Sequence, residues 1–244
     1  MLAACTSGTT LTTTTLSTTT STTTTLSTTA PSTTTLSTTA STTTAPSTTA
    51  PSTTTLSTTT LSTTAPSPSY AFPFSGHKVS WGTTHHDYPA IDVFGCGATV
   101  LSPTNGTVVQ VRDVDLWDPK VNAGSTRGGK YVAIVGVDGV RYYFAHLAGV
   151  LVHAGQHVQP GDPLGPMGQT GDARLSACHT HVGISWPCPA NEWKVRRGKI
   201  WPMQYLAAWR KGEQLSPVAE VTAAEAAQPG ACTDALAQPD AAKS

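Results

Sequence analysis

The chain has 244 residues, and its 14 Lys and Arg residues are balanced by 14 Asp and Glu residues, which gives a formal net charge of zero. A neutral chain without long basic runs lacks the electrostatic signature of nucleic-acid binding, so we predict no nucleic-acid partner. No stretch approaches the roughly 18 consecutive apolar residues of a membrane-spanning helix. One local basic cluster indicates no more than a solvated loop: Lys194, Arg196, Arg197 and Lys199.

Residues 1–5 end in Leu2-Ala3-Ala4-Cys5, which resembles the lipobox of bacterial lipoproteins. In a lipobox the Cys is lipidated and becomes the first residue of the mature protein. The basic and apolar regions of a signal peptide do not precede this motif, so a chance match and a start assigned too far downstream are both open. A lipid on Cys5 is the one membrane attachment that the sequence predicts.

Residues 6–69 consist almost wholly of Thr and Ser with scattered Leu, Ala and Pro. Such a segment has too few apolar side chains to form a core, which predicts a disordered stalk, either O-glycosylated or an unmodified linker. Composition changes at Tyr70 and again after Val221. We therefore predict one domain over residues 70–221 and a disordered, Ala- and Pro-rich tail over residues 222–244.

Short β segments separated by turn residues predict a mainly β, antiparallel domain with one short C-terminal helix. Residues 131–137 and 140–145 are joined by Asp138-Gly139, which favours a hairpin with a two-residue type I′ turn. The helix is predicted over residues 202–211, with Pro202 in its first turn and Gly212 after its end. Residues 112–130 have no periodicity and are predicted to form a loop over one face of the sheet.

The five cysteines predict disulfides in an exported chain. If Cys5 is lipidated, the remaining four form an even set with three possible connectivities. Cys178 and Cys188 flank one strand and turn, so this pair is preferred. Zinc ligation by cysteines is the alternative, although the sequence has no Cys-x-x-Cys pair.

The His179-Thr180-His181 sequence suggests a metal site. If this stretch is extended, both imidazoles lie on the same side of the strand, and imidazole nitrogen is a preferred zinc ligand. An isolated His-x-His pair is more often a surface or core feature, so further ligands are needed. Residues 84–94 contain the candidates: His85, His86, Asp87 and Asp92.

Four motifs occur in order along the chain. A His followed by Asp92 precedes Gly97-Ala98-Thr99-Val100 with residues 102–108, then Tyr143-Phe144-Ala145-His146-Leu147, then His179-Thr180-His181. In this order, over about residues 72–185, they resemble the M23 peptidase family, the LytM or lysostaphin type of zinc peptidoglycan endopeptidase. The resemblance implies an antiparallel β-sheet domain with a barrel-sandwich-like core.

The resemblance also implies a role for each polar position. His86, Asp92 and His181 would ligate Zn²⁺, and His146 and His179 would act on substrate and water. The family usually has three residues between its first His and the Asp, whereas five separate His86 from Asp92. His85 is therefore the alternative ligand. His86 is preferred because fewer residues must loop out between it and Asp92.

The expected function is a zinc metalloendopeptidase that cleaves peptide bonds in bacterial peptidoglycan cross-links or stem peptides. Its expected location is extracytoplasmic, in the cell envelope, either secreted or lipid-anchored, with peptidoglycan as partner. Because the chain has no His-Glu-x-x-His motif, proton handling would fall to His146 and His179. The alternatives are a catalytically inactive LytM-like module that binds cell wall or activates a hydrolase, and a carrier or sugar-transfer domain, because residues 158–165 also resemble barrel-sandwich carriers. No pattern predicts the bond cleaved or the oligomeric state.

Overall fold

The computed structural model describes residues 66–238 and residue 240. The predicted lipidation site at Cys5 and nearly all of the predicted stalk, residues 6–65, lie outside the described residues. None of the described helices has the length and apolar composition that a membrane span requires.

Ten strands form within residues 66–238, as the sequence analysis predicts for a mainly β domain. They are β1 (Phe74–Ser75), β2 (Ser80–Trp81), β3 (Ile91–Phe94), β4 (Thr99–Leu101), β5 (Gly106–Arg112), β6 (Tyr131–Gly136), β7 (Arg141–Ala145), β8 (His157–Val158), β9 (Pro163–Pro166) and β10 (His179–Ser185). In this part of the chain all strand pairs are antiparallel. The larger sheet has the order β2-β3-β10-β7-β6-β5-β8, and the smaller has the order β1-β4-β9.

The predicted hairpin is confirmed, with a different turn. Strands β6 and β7 pair with Val135 opposite Arg141, and the Gly136 N–H donates to the Val140 carbonyl at 2.9 Å. The loop is therefore Val137-Asp138-Gly139 rather than two residues. Gly139 has φ 78°, so a left-handed residue closes the loop, as is usual in three-residue hairpin loops.

The larger sheet has one face in the core and one face in the candidate site. In β3, Ile91 and Val93 are buried in the main apolar cluster, while Asp92 projects from the opposite face. In β10, Val182 and Ile184 belong to the same cluster, and all seven residues of this strand are buried. The two-residue alternation of strands thus separates the apolar and polar positions of neighbouring strands.

Helix α1 (Met203–Arg210) confirms the predicted helix and packs Leu206 and Trp209 into the main cluster. The prediction of a disordered tail is wrong for much of residues 222–237. Helix α2 (Val218–Ala226) and helix α3 (Ala231–Ala237) form there, with Val221 and Ala235 buried. Composition could not show that a few apolar residues and one disulfide would anchor this segment.

The preferred pairing of Cys178 with Cys188 is also wrong. The described residues contain the disulfides Cys96–Cys178 and Cys188–Cys232. The antiparallel pairing of β3 with β10 places His179 opposite Phe94, so the residues just beyond these strand ends meet although they are 82 positions apart. The second bond ties α3 to the segment that follows β10.

A buried ion pair holds the segment after β10 against the sheet. The Arg141 Nη2 lies 3.3 Å from Glu192 Oε2, and the two side chains are 4% and 0% exposed. Arg141 also donates to Ser185 Oγ at 3.1 Å, and Glu192 accepts the Arg196 N–H at 3.1 Å. Burial lowers the pKa of Arg141 to about 10, with Glu192 opposing the shift, so the guanidinium stays charged at neutral pH.

We predict that Glu192→Gln destabilises the protein strongly, because it leaves a buried guanidinium without its counter-charge. The expected loss is about 3–5 kcal/mol in the free energy of unfolding, measured by chemical denaturation. The matched control is Glu213→Gln. It removes the exposed carboxylate 3.7 Å from Lys211 Nζ and should cost less than about 1 kcal/mol. Equal losses in the two variants would contradict the role assigned to Glu192.

We also predict that loss of the Cys188–Cys232 bond exposes the C-terminal helices to proteolysis. A Cys188→Ser/Cys232→Ser variant should be cut faster after Glu225, in α2, by a glutamate-specific protease, because a disulfide commonly stabilises the folded state by about 2–4 kcal/mol. The Cys96→Ser/Cys178→Ser variant controls for a general loss of stability. Cleavage after Glu225 at the same rate in both variants would show that the Cys188–Cys232 bond does not anchor this segment.

Candidate metal centre and active site

The register between β3 and β10 places Asp92 beside His181. The two residues are directly opposed partners in the antiparallel pair, and such partners project from the same face. The His181 Nδ1 and Asp92 Oδ1 atoms are 3.1 Å apart. A carboxylate and an imidazole, 89 positions apart in the chain, are thus brought together by backbone pairing.

The backbone selects the tautomer of His181. Its Nε2 lies 2.7 Å from the Arg197 carbonyl oxygen, which can only accept a hydrogen bond, so Nε2 carries a hydrogen. The other nitrogen, Nδ1, faces the Asp92 oxygen. A nitrogen lone pair and a carboxylate oxygen at this separation need a proton or a cation between them, which is the arrangement of neighbouring metal ligands.

His85 completes the cluster from the loop before β3. Its Nε2 is 3.7 Å from Asp92 Oδ1, and its ring centroid is 4.9 Å from that of His181. Its Nδ1 is buried and makes no hydrogen bond with the described residues. Burial lowers the pKa of His85 to about 4, so its imidazole is neutral at neutral pH, as a metal ligand must be.

The carboxylate of Asp92 is ionised in this setting. Burial alone would raise its pKa, but the close contact with His181 and the nearby imidazoles of His181, His179 and His85 outweigh burial and lower it. His85, Asp92 and His181 each offer one ligand atom, and these atoms lie within 4.8 Å of one another. Two imidazole nitrogens and one carboxylate oxygen fit a three-ligand zinc site with an open coordination position.

The structure does not bring His86, the preferred ligand of the sequence analysis, into this cluster. Its side chain is exposed at the cavity rim, and its ring lies edge-on to that of His85 at 5.4 Å. In the described loop, the imidazole of His85 reaches Asp92 and that of His86 does not. His85 also packs against Tyr88, with the two ring centroids 4.5 Å apart. The imidazole beside Asp92 is therefore that of His85, the alternative ligand of the sequence analysis.

His146 and His179 lie beside the cluster with their ring centroids 4.8 Å apart. The His146 Nδ1–H donates to the Thr170 carbonyl at 2.9 Å, and the His179 Nδ1–H donates to the Ala177 carbonyl at 2.7 Å. These hydrogen bonds orient both rings. Each Nε2 faces a carboxylate of the cavity, at 3.9 Å from Asp172 for His146 and 3.8 Å from Asp92 for His179. Burial and the neighbouring imidazoles of His181 and His179 lower the pKa of His146 to about 3.

His146 has a backbone φ of 64°, a left-handed conformation that is uncommon outside glycine. Strain of this kind persists where surrounding contacts determine the conformation, and it is frequent at functional sites. Here the His146 N–H donates to the Gly128 carbonyl at 2.9 Å. Gly128 must be glycine, because a Cβ there would lie 2.2 Å from the Tyr143 hydroxyl oxygen.

The cluster opens into a cavity of about 610 Å³. The loop of residues 112–130, predicted to cover one face of the sheet, contributes to its wall, as do the residues before β10 and those after it. Residues from these segments that line it include Trp117, Asn122, Arg127, Asp172, Ser176, Trp193, Arg196 and Arg197.

Sequence analysis missed several of these residues. The basic residues around Arg196 and Arg197 predict a solvated loop, but Arg196 is 4% exposed and its guanidinium carbon lies 4.4 Å from the centroid of the Tyr131 ring. Arg197 supplies the carbonyl that orients His181. Asp172 follows Thr170-Gly171 in the glycine-rich stretch before β10, and burial raises its pKa, with Arg127 opposing the shift. The closeness of these residues to the histidine motifs in sequence was the only signal available.

One protein-family model matches part of the chain. Residues 87–195 match the model of Peptidase family M23, a segment that contains Asp92, His146, His179 and His181. No curated protein sequence matches the chain.

Three solved structures are similar in fold. A candidate M23 peptidase from Pseudomonas aeruginosa is 22% identical, with a TM-score of 0.42, and the match covers 57% of this chain and 50% of that one. The catalytic domain of the antimicrobial peptidase lysostaphin from Staphylococcus simulans is 21% identical, with a TM-score of 0.39 and coverage of 54% and 92%. A candidate glycyl-glycine endopeptidase, LytM, from Ruminococcus gnavus is 22% identical, with a TM-score of 0.46 and coverage of 60% and 62%.

This chain spans half the length of the Pseudomonas aeruginosa protein. The domain that carries the His-Asp-His cluster is similar to peptidase family M23 over residues 87–195, the segment that matches the family model.

Proposed function

We propose that this protein is a zinc-dependent endopeptidase that hydrolyses peptide bonds in the cross-links or stem peptides of bacterial peptidoglycan. The observation that carries the proposal is the meeting of His85, Asp92 and His181 in one cavity with two further oriented histidines, His146 and His179. The match of residues 87–195 to the model of Peptidase family M23 supports the reaction class.

The proposed zinc ligands are His85, Asp92 and His181. When bound, zinc lowers the pKa of a coordinated water towards about 7 and polarises the carbonyl of the scissile bond. The protein contributes ligand orientation, since the Arg197 carbonyl holds the His181 ring with Nδ1 towards Asp92. The loop bearing His85 packs that ring between Tyr88 and His181.

His146 and His179 are the proposed catalytic residues. Their Nδ1–H groups are committed to backbone carbonyls, so each Nε2 is left to exchange protons within the cavity. In peptide hydrolysis water adds to the carbonyl carbon, the C–N bond breaks, and the departing amine gains a proton. One imidazole would accept the water's proton at Nε2 and pass it to the departing amine, and the other, when protonated at both nitrogens, would donate a hydrogen bond from Nε2 to the developing oxyanion.

The alternative is an inactive module that binds cell wall or activates a separate hydrolase. Such a module does not need five polar side chains arranged around one cavity, and their presence here favours an enzyme. The proposed location is the extracytoplasmic cell envelope, which the two disulfides of the described residues support. Attachment through a lipid on Cys5 remains part of this proposal.

We predict that the purified protein contains close to one zinc ion per chain, measured by elemental analysis. His85→Ala and His181→Ala should each abolish stoichiometric zinc, because each removes one of three protein ligands. His86→Ala is the matched control, an imidazole at the adjacent position but outside the cluster, and it should retain zinc. Loss of zinc in His86→Ala with retention in His85→Ala would reverse the ligand assignment.

We predict that the protein releases new amino termini from purified peptidoglycan, measured by amine labelling and mass analysis of the products. His146→Ala should reduce the rate by about 10²–10⁴-fold while zinc is retained, because it removes a proton-transfer group without removing a ligand. His153→Ala, which changes an exposed histidine outside the cavity, is the control. A zinc-loaded wild-type protein that sediments with peptidoglycan but releases no amino termini would be the inactive module.

A further inference from the structure

A second cavity adjoins the candidate active site. It has a volume of about 670 Å³ and lies between residues 194–199 and the segment containing α2 and α3. Asp87, Tyr88 and Arg197 line both cavities. One extended ligand can therefore contact both cavities, with the stacked pair of Arg197 and Tyr88, 3.8 Å from guanidinium carbon to ring centroid, between them.

The outer wall of this cavity lies beyond the residues that match the family model. The M23 match ends at residue 195, whereas Ala227, Gln228, Ala231 and Gln238 lie in or beside the C-terminal helices. The Cys188–Cys232 disulfide joins α3 to the segment after β10, so the wall is covalently fastened to the domain that carries the catalytic histidines.

The cavity presents cations that lack carboxylate partners. Lys199 Nζ donates to Gln228 Oε1 at 2.9 Å, and Lys194 Nζ donates to Gln238 Oε1, so both lysines are held by neutral amides. Arg197 lies over aromatic rings. Among the described residues, none of these three forms an ion pair within 4.0 Å of a carboxylate.

The charge balance of the lining favours an anion. Lys194, Arg197 and Lys199 contribute three positive charges, and the acidic lining residues are Asp87 and Asp234. Burial lowers the pKa of Lys199, with Glu192 opposing the shift, which indicates partial desolvation of its ammonium group. A carboxylate brought next to a partly desolvated cation gains more than it would at a fully exposed lysine.

We propose that this second cavity is a substrate subsite that binds a carboxylate-bearing part of the peptide, away from the bond that is cleaved. The proposal rests on the proposed endopeptidase function, which it extends by naming a recognised chemical group. Binding of a remote substrate segment can position the scissile bond at the catalytic residues. The amides of Gln228 and Gln238 hold the lysine side chains in place for this contact.

The test measures binding by calorimetry, so that it does not depend on turnover. The full chain carrying His146→Ala is titrated with the stem tetrapeptide L-Ala-γ-D-Glu-L-Lys-D-Ala and with the same peptide whose carboxylates are amidated. We expect the free-acid peptide to bind about fivefold to tenfold more tightly, the scale of two partly exposed charge contacts. Raising the salt concentration should reduce this preference.

Lysine variants assign the preference to the second cavity. Adding Lys194→Gln/Lys199→Gln should reduce the preference for the free-acid peptide over the amidated peptide by about fivefold or more. Any preference that remains would come from other contacts. Lys194→Arg/Lys199→Arg, which keeps both charges, should retain the preference. Lys211→Gln, which removes an exposed lysine outside the cavity, is the control. An unchanged thermal midpoint and zinc content show that the variants are folded.

The outcomes separate the subsite from the catalytic proposal. No preference in the parent protein, or a preference that survives Lys194→Gln/Lys199→Gln, overturns the subsite, even if peptidoglycan is hydrolysed. A lysine-dependent preference supports the subsite, even if peptidoglycan hydrolysis is never detected and the endopeptidase proposal fails.

Discussion

The antiparallel register of β10 with β3 is the constraint on which the candidate site depends. It sets His181 opposite Asp92 and His179 opposite Phe94, while the other edge of β10 sets His181 opposite Ala145, the residue before His146. A shift of one residue in either pairing would turn these side chains into the apolar core. Because the core face of the same strands carries Ile91, Val93, Val182 and Ile184, burial of those residues also selects the register of the site.

Backbone carbonyls then orient the imidazoles that the sheet brings together. Arg197, Thr170 and Ala177 each accept one imidazole N–H, which determines the nitrogen that remains for a metal or for proton transfer. All three carbonyls come from segments flanking β10 rather than from the sheet. The buried Arg141–Glu192 pair has a functional consequence, since Glu192 accepts backbone N–H groups of Val195 and Arg196 and so supports the loop that carries the Arg197 carbonyl.

The C-terminal helices form a surface beyond the residues that match the family model. Helix α1 extends the core of the sheet, but α2 and α3 border a cavity that touches the candidate active site through Arg197 and Tyr88. The proposed catalytic residues lie on strands and their flanking loops, whereas this C-terminal wall is anchored by a disulfide. Differences in specificity between proteins of one fold are expected in such additions, because they leave the reacting groups in place.

The sequence by itself determined the mainly β class, the β6–β7 hairpin, helix α1 and the set of motif histidines with Asp92, because these depend on local periodicity, turn residues and motif order. Only the tertiary structure shows that His85, and not His86, lies beside Asp92, since the two residues are adjacent in sequence and differ in the direction of their side chains within one loop. The tertiary structure also determined the two disulfide pairings and the folding of the C-terminal segment. Cys96 meets Cys178, and Cys232 meets Cys188, through contacts between residues 82 and 44 positions apart, and no local pattern encodes such distant partners.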